Sequence, residues 1–284
     1  MGNFSILNNI SALNAQNQLN INNVNLARTL QRLSSGKRIN TGADDAAGLE
    51  IADSLNANTQ ALDQAVRNAN DGISVSQIAD GALQQITNLL TRGVTLAEEA
   101  ATGTVDSNGR TSLNNELTQI QAEIARIAAQ TNYNGTGIFT TGAGNIAGTL
   151  HVYVGDISQK SSISVTITSI TTAGDTVTSL NGHSLAGLDL TTDASGALGT
   201  LQTAINDVAN MRAAIGTGIN RLQSAVAVLQ TTSQNTAAAE SNIRDANIAQ
   251  EVANLTKFQI LAQTGMAALA QANSSSQTVL NLLK

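Results

Sequence analysis

Apolar residues are spaced for helices at both ends of the chain and for strands only in its middle. Near the start, Ala12, Leu19, Leu26 and Leu33 recur every seven residues, with Leu30 on the intervening position. Near the end, Ile248, Val252, Leu255, Gln259, Ala262, Met266 and Leu269 alternate by four and three. Both rows are coiled-coil seams. A lone soluble helix hides such a seam only against a partner, so the two ends are expected to pack on one another. Apolar surface is left over for further copies. Residues 1–27 hold no Asp, Glu, Lys or Arg, which suits burial, because an unpaired charge is costly to desolvate. Helices this marginal alone order only when docked, and the ends are expected to be disordered before assembly.

The elements follow from the same spacing. A first helix is expected over 4–33, capped by Ser5 or Ser11, and Ser34 to Gly42 breaks it. Asp44-Asp45-Ala46 restarts helix, and a long helix is expected from about Leu55 to Ala101 on a stripe of Leu62, Val66, Ala69, Ile73, Ile86, Leu90 and Leu96. Another opens at Thr111-Ser112-Leu113 and runs to about Gln130. The period then shortens. Asn134-Gly135 and Asn181-Gly182 mark turns, Gly137-Ile138-Phe139 with Leu150 to Val154 suggests a hairpin, and Ile163, Val165 and Ile167 alternate like a strand. Helix returns from about Ala197 to Ala239, with a possible break at Gly216-Thr217-Gly218, and a terminal helix is expected from Ile243 to Leu283. The fold class is therefore mainly α: a long antiparallel helical rod or coiled coil formed by both chain ends, with a small β-hairpin-rich centre. Residues 1–42 and 240–284 are expected to make a terminal coiled-coil domain, 43–135 and 193–239 a helical rod domain, and 136–192 a β-rich insert.

Composition narrows the chemistry. The 284 residues include no Cys and no Pro; the first excludes disulfides and thiolate chemistry, and the second suits long helices, whose interiors proline breaks. His151 and His183 stand alone in a Ser/Thr/Gly-rich stretch, and the adjacent Asp44 and Asp45 diverge at a helix start, so neither set reads as a metal site. No catalytic or nucleotide-binding motif stands in a suitable context, so neither an enzyme nor a cofactor is expected. A net charge of −6 without a basic cluster argues against nucleic acid. Residues 1–25 carry no basic segment ahead of an unbroken apolar run, so neither a cleaved leader nor a membrane span is expected.

Six segments carry a resemblance. Leu30-Gln31-Arg32-Leu33-Ser34-Ser35-Gly36-Lys37-Arg38-Ile39-Asn40, Asp44-Asp45-Ala46-Ala47-Gly48-Leu49, Arg67 to Ser74 and Gln130 to Gly135 stand in order in the first half. Glu240-Ser241-Asn242-Ile243-Arg244-Asp245-Ala246 and Leu269-Ala270-Gln271-Ala272-Asn273 follow near the end. Together they resemble bacterial flagellin over about residues 1–140 and 196–284. The resemblance implies a subunit that polymerises into the flagellar filament for swimming. Its terminal helices would form an inner tube, with Leu19, Leu26, Leu30, Leu33, Ile248, Val252, Leu255, Met266 and Leu269 packing the filament core. It also implies export by the flagellar type III apparatus without a cleaved signal peptide and an extracellular location. An export chaperone on residues 248–284 is implied, as are hook-associated and cap proteins as neighbours. Toll-like receptor 5 is a further implied partner, with Arg92, Leu96 and Glu116 at the family's recognised positions. Two rivals are a hook–filament junction protein, which shares the terminal helices, and an adhesin, which would need a larger insert.

Overall fold

The computed structural model describes residues 9–141, 145–156, 160–173, 176–180, 183–185 and 188–282. In chain order the elements are α1 (Ile10–Ser35), α2 (Ala46–Ala101), α3 (Ser107–Gln130), β1 (Asn132–Tyr133), β2 (Thr136–Gly137), β3 (Gly148–Tyr153), β4 (Ser162–Ile167), β5 (Ile170–Ala173), β6 (Thr176–Leu180), β7 (His183–Ser184), α4 (Ala194–Arg244) and α5 (Ile248–Leu282). The chain divides into two compact units, Met1–Ala57 with Asn235–Lys284, and Asn58–Gln234.

In the first unit α1 and α5 pack antiparallel. The Asn9 amide donates to the Ala272 carbonyl at 2.9 Å, and at the other end the Ala246 N–H donates to the Gly36 carbonyl at 2.9 Å. The ends are thus paired helices over their described residues, and each covers part of the other's seam. On α1 the covered row is Ala12, Ala15, Leu19, Asn22, Leu26, Thr29 and Leu33. On α5 it is Glu251, Leu255, Phe258, Ala262, Gly265, Leu269 and Ala272. Both rows keep the four-three spacing of a coiled coil. Gly265 is part of the fit: a Cβ there would stand 3.3 Å from the Leu19 side chain. The α5 row lies one residue away from the expected one. Leu255, Ala262 and Leu269 belong to both, whereas Ile248, Val252, Gln259 and Met266 face outward. Leu30, placed on the α1 seam by spacing, is also exposed. Since α5 is apolar on more than one face, two overlapping seams can be threaded through it, and only the partner helix selects between them.

In the second unit α2, α3 and α4 enclose a core of aliphatic side chains. Leu83, Ile86, Leu90 and Leu96 from α2, Leu117 and Ile124 from α3, and Leu201, Val208, Ile215 and Leu222 from α4 are all buried. Buried Ala65, Ala69, Ala79, Ala97, Ala128 and Ala204 lie between them; small side chains let helix backbones approach where aromatics are scarce. Phe139 is fully buried. The α3 start is earlier than expected, because the Asp106 carboxylate caps the helix by accepting from the Gly109 N–H at 2.8 Å. The long helices expected from Leu55 and from Ala197 start at Ala46 and Ala194, and α4 runs unbroken through Gly216-Thr217-Gly218 to Arg244.

The strands correct one expectation. Leu150 to Tyr153 do not pair with 137–139. β3 pairs antiparallel with β4, setting Leu150 opposite Val165 and Val152 opposite Ile163. β1 and β2 form their own two-residue hairpin, whose turn residues Asn134 and Gly135 both have positive φ, 50° and 78°; Asn-Gly is the sequence that turn favours. β5, β6 and β7 make a third antiparallel sheet in that order. The turn expected at Asn181-Gly182 lies outside the described residues.

The β3–β4 hairpin explains the glycines that disturb the helical pattern. A Cβ at Gly72 of α2 would stand 2.6 Å from a Val152 methyl, and one at Gly218 of α4 would stand 2.8 Å from both Val165 methyls. Each glycine is a notch that receives a hairpin valine. The glycine that fails to break α4 is there to admit β4.

Candidate assembly surface

The outer faces of α1 and α5 carry exposed aliphatic side chains. On α1 these are Ile10, Leu13, Ile21, Val24 and Leu30; on α5 they are Ile248, Val252, Ile260, Leu261 and Met266. α1 has no charged residue before Arg28, and α5 offers only Glu251 and Lys257 between Ile248 and Leu282. Glu251 is turned inward and buried. Exposed aliphatic side chains on helices that carry so little charge mark an interaction face. Of the nine seam residues named from sequence, Leu19, Leu26, Leu33, Leu255 and Leu269 are half-buried between the helices, and Leu30, Ile248, Val252 and Met266 lie on the outer face.

A polar clamp holds this pair at its charged end. Gly36 closes α1 in the left-handed conformation with φ 71°, its N–H donating to the Arg32 carbonyl at 2.9 Å. The Arg38 N–H then donates to the Arg244 carbonyl at 2.6 Å, and its guanidinium donates to the Ile243 carbonyl at 2.7 Å. Lys37 and Asp245 form an isolated antiparallel β-bridge. Arg32 lies 3.6 Å from both Asp44 and Glu251. Arg244 pairs with Asp53 at 2.9 Å, and Glu240 accepts from the Asn56 amide at 3.1 Å. The segments Ser34 to Leu49 and Glu240 to Ala246, two hundred residues apart in the chain, therefore hold one another. Ile39 is buried against Gly48, where a Cβ would stand 2.8 Å from its terminal methyl. Asp44 accepts from the N–H groups of Asn40 and Thr41 and from the Thr41 hydroxyl. The Thr41 N–H does most to hold its carboxyl below the usual carboxylate range; burial opposes the shift, and Asn40, the Thr41 hydroxyl and Arg32 add to it.

In the second unit Arg92 of α2 and Glu116 of α3 form an exposed ion pair at 2.7 Å, their side chains 57% and 45% accessible. Leu96 is 1% exposed and belongs to the core. It supports this patch from beneath and presents nothing on it, because the stripe that carries Leu90 and Leu96 faces inward. His151 on β3 hydrogen-bonds the Ser164 hydroxyl at 3.2 Å. Among the described residues no group of three or more His, Cys, Asp or Glu could hold a metal, and no helix is long and apolar enough to cross a membrane.

Sequence reasoning missed the clamp and the notches. Glu251 was the available signal for the clamp, as an acidic residue in an otherwise uncharged row. Nothing in the helical pattern distinguishes Gly72 and Gly218 from ordinary helix-weakening glycines.

Two family models match the chain: the bacterial flagellin N-terminal helical region over residues 6–143 and the bacterial flagellin C-terminal helical region over residues 198–283. Among curated proteins, the flagellar filament 31.3 kDa core protein of Treponema maltophilum is 34% identical over 286 aligned positions, covering 98% of this chain and 99% of that one. Flagellin FlaB1 of Treponema pallidum is 35% identical with the same coverage. The flagellin of Halalkalibacterium halodurans is 34% identical, covering 98% of this chain and 99% of its own.

Proposed function

The chain belongs to the bacterial flagellin family, and from that premise we propose that the outward faces of α1 and α5 carry the contacts through which it assembles. It is a structural subunit of an extracellular flagellar filament, it self-associates, and it is not an enzyme. The observation that carries the proposal is the row of exposed, uncharged aliphatic side chains on a helix pair whose inner seam is already filled. Burying a half-exposed Val, Leu or Ile contributes about 1 kcal/mol, and each copy brings several. Contacts of one face with a different face on the next copy build a helical polymer where the rotation does not close. In this reading residues 1–42 and 240–284 line the inner tube, 43–135 and 193–239 form the surrounding rod, and 136–192 are an insert of the rod.

The same aliphatic α5 face suits an export chaperone before assembly and the hook-associated and cap proteins at the two ends of the filament. Export would proceed without a cleaved signal peptide. The test is seeded growth watched by negative-stain electron microscopy. The full chain should lengthen added filament seeds, and a chain lacking residues 1–40 and 245–284 should not. Failure of the full chain, under conditions that preserve the seeds, would overturn the assembly reading in favour of a junction protein or an adhesin.

A second reading is favoured by the Arg92–Glu116 pair, which is exposed and joins α2 to α3. We propose it as the contact for Toll-like receptor 5, with Leu96 holding the helix surface in place. Arg92→Ala should lower receptor signalling while filament growth is kept. Wild-type monomer that does not activate the receptor would overturn this.

A further inference from the structure

Met266 is 55% exposed and stands on the outer face of α5 two heptads after Val252, whereas Met211 of α4 is 3% exposed within the core. The two described methionines therefore differ sharply in access to solvent oxidants. They also differ in what a change of polarity would do. Met266 is the soft, unbranched member of an otherwise aliphatic surface, the kind of side chain that fills irregular gaps at an interface. Its sulfur is the most readily oxidised atom on that face, since the chain has no cysteine to compete for the oxidant.

We propose that Met266 is a modification site: hydroperoxides convert it to the sulfoxide on the free subunit, and the conversion blocks addition of that subunit to the filament. In the reaction the Met266 Sδ lone pair attacks one peroxide oxygen and the O–O bond breaks. The sulfur gains an oxygen atom and is oxidised by two electrons, and the other peroxide oxygen takes up the proton and leaves as water from hydrogen peroxide or as the alcohol from an organic hydroperoxide. The product is a polar, chiral group in place of a thioether. Exposed on the monomer it costs nothing, because water solvates the new oxygen. Buried against a neighbouring copy it lacks a hydrogen-bond donor, and the addition step bears that cost. The sulfoxide is reversible enzymatically, so the site would report oxidant exposure at the point of growth without damaging filament already built. The inference rests on the assembly reading above, since it needs the α5 outer face to be covered in the polymer.

The test treats full-length monomer with hydrogen peroxide, maps the added oxygen by peptide mass spectrometry, and measures seeded elongation. The expected result is sulfoxide at Met266 well before Met211. The critical concentration for elongation should rise about tenfold, the size set by one unpaired buried polar group. Methionine sulfoxide reductase should restore growth, and Met266→Leu, a volume-conserving change, should elongate equally before and after peroxide. Normal elongation of monomer carrying sulfoxide at Met266 would overturn the inference, as would equal loss in treated Met266→Leu. Failure of untreated wild-type monomer to elongate would instead overturn the assembly reading, so the two failures are distinguishable.

Discussion

The two units use the same aliphatic alphabet for opposite ends. In the middle unit, leucine, isoleucine and valine are spent inward. Among the described residues, every buried hydrophobic except Ile39 and Ala52 belongs to it. In the terminal unit the pattern inverts, and among the described residues the large exposed hydrophobics other than Ile78, Tyr153 and Val228 are found there. The lesson is that a helix-patterned apolar stripe does not by itself say whether a fold or an assembly uses it. A pair of helices has one seam to fill, and apolar residues beyond that seam are surplus to the monomer.

The contrast can be broken most forcefully in the middle unit. Phe139→Ala should cost about 3–5 kcal/mol, read as a large fall in the urea midpoint, while the α1–α5 pair keeps its helical content. The glycine notches sharpen the same point. Gly72→Ala and Gly218→Ala should each destabilise by about 1–3 kcal/mol through overpacking on Val152 and Val165. Gly81→Ala, where a Cβ meets nothing within 4 Å, should stabilise by up to about 1 kcal/mol through helix propensity. If all three glycines behaved alike in thermal unfolding, the notch account would fail. In the terminal unit Leu30→Ala and Val252→Ala should change monomer stability by no more than about 0.5 kcal/mol, as exposed substitutions do, yet reduce elongation from seeds. A large loss of monomer stability in either would place these side chains in the fold after all.

The smallest expected effects are electrostatic, with one carboxylate in each unit. Asp44 is held below the usual range chiefly by the Thr41 N–H, and Asp189 chiefly by the Thr191 hydroxyl. A folded-state value that is depressed contributes stability above the unfolded carboxylate range, near about pH 4, and loses it as the pH falls through the folded value. Asp44→Asn and Asp189→Asn should therefore be less stable than wild type at neutral pH, and the difference should shrink on acidification below about pH 4. A difference independent of pH in chemical denaturation would mean that hydrogen-bond geometry, not ionisation, is responsible.

Much of the fold was legible because helix spacing is a strong signal. The stripes through Leu62, Ala69, Ile86 and Leu90, and through Leu117, Ile120 and Ile124, are buried as the period requires. Pairing was less legible. Nothing local in Leu150 to Val154 says whether it meets 137–139 or Ile163 to Ile167, because the choice depends on which hairpin the helices admit. The seam on α5 was ambiguous for a related reason: Leu255 and Leu269 fit two rows, and only α1 decides. The clamp around Arg32, Arg38 and Glu251 joins residues more than two hundred apart, a relation that no periodicity encodes. Leu96 shows the limit for the proposed receptor contact, since alignment to a motif gives a position without its facing.

Gly72 and Gly218 act by leaving room, and this restricts how the molecule can vary. Every replacement at either position is larger, so no second choice on the same helix can make the space again. The compensation has to come from the strand, by trimming the valine that occupies the notch: Gly218→Ala is tolerable beside Val165→Ala, and Gly72→Ala beside Val152→Ala. Helix and hairpin are thus free to drift only in step, one lock and one key recut together, while the open glycine at position 81 carries no such bond and can be replaced alone.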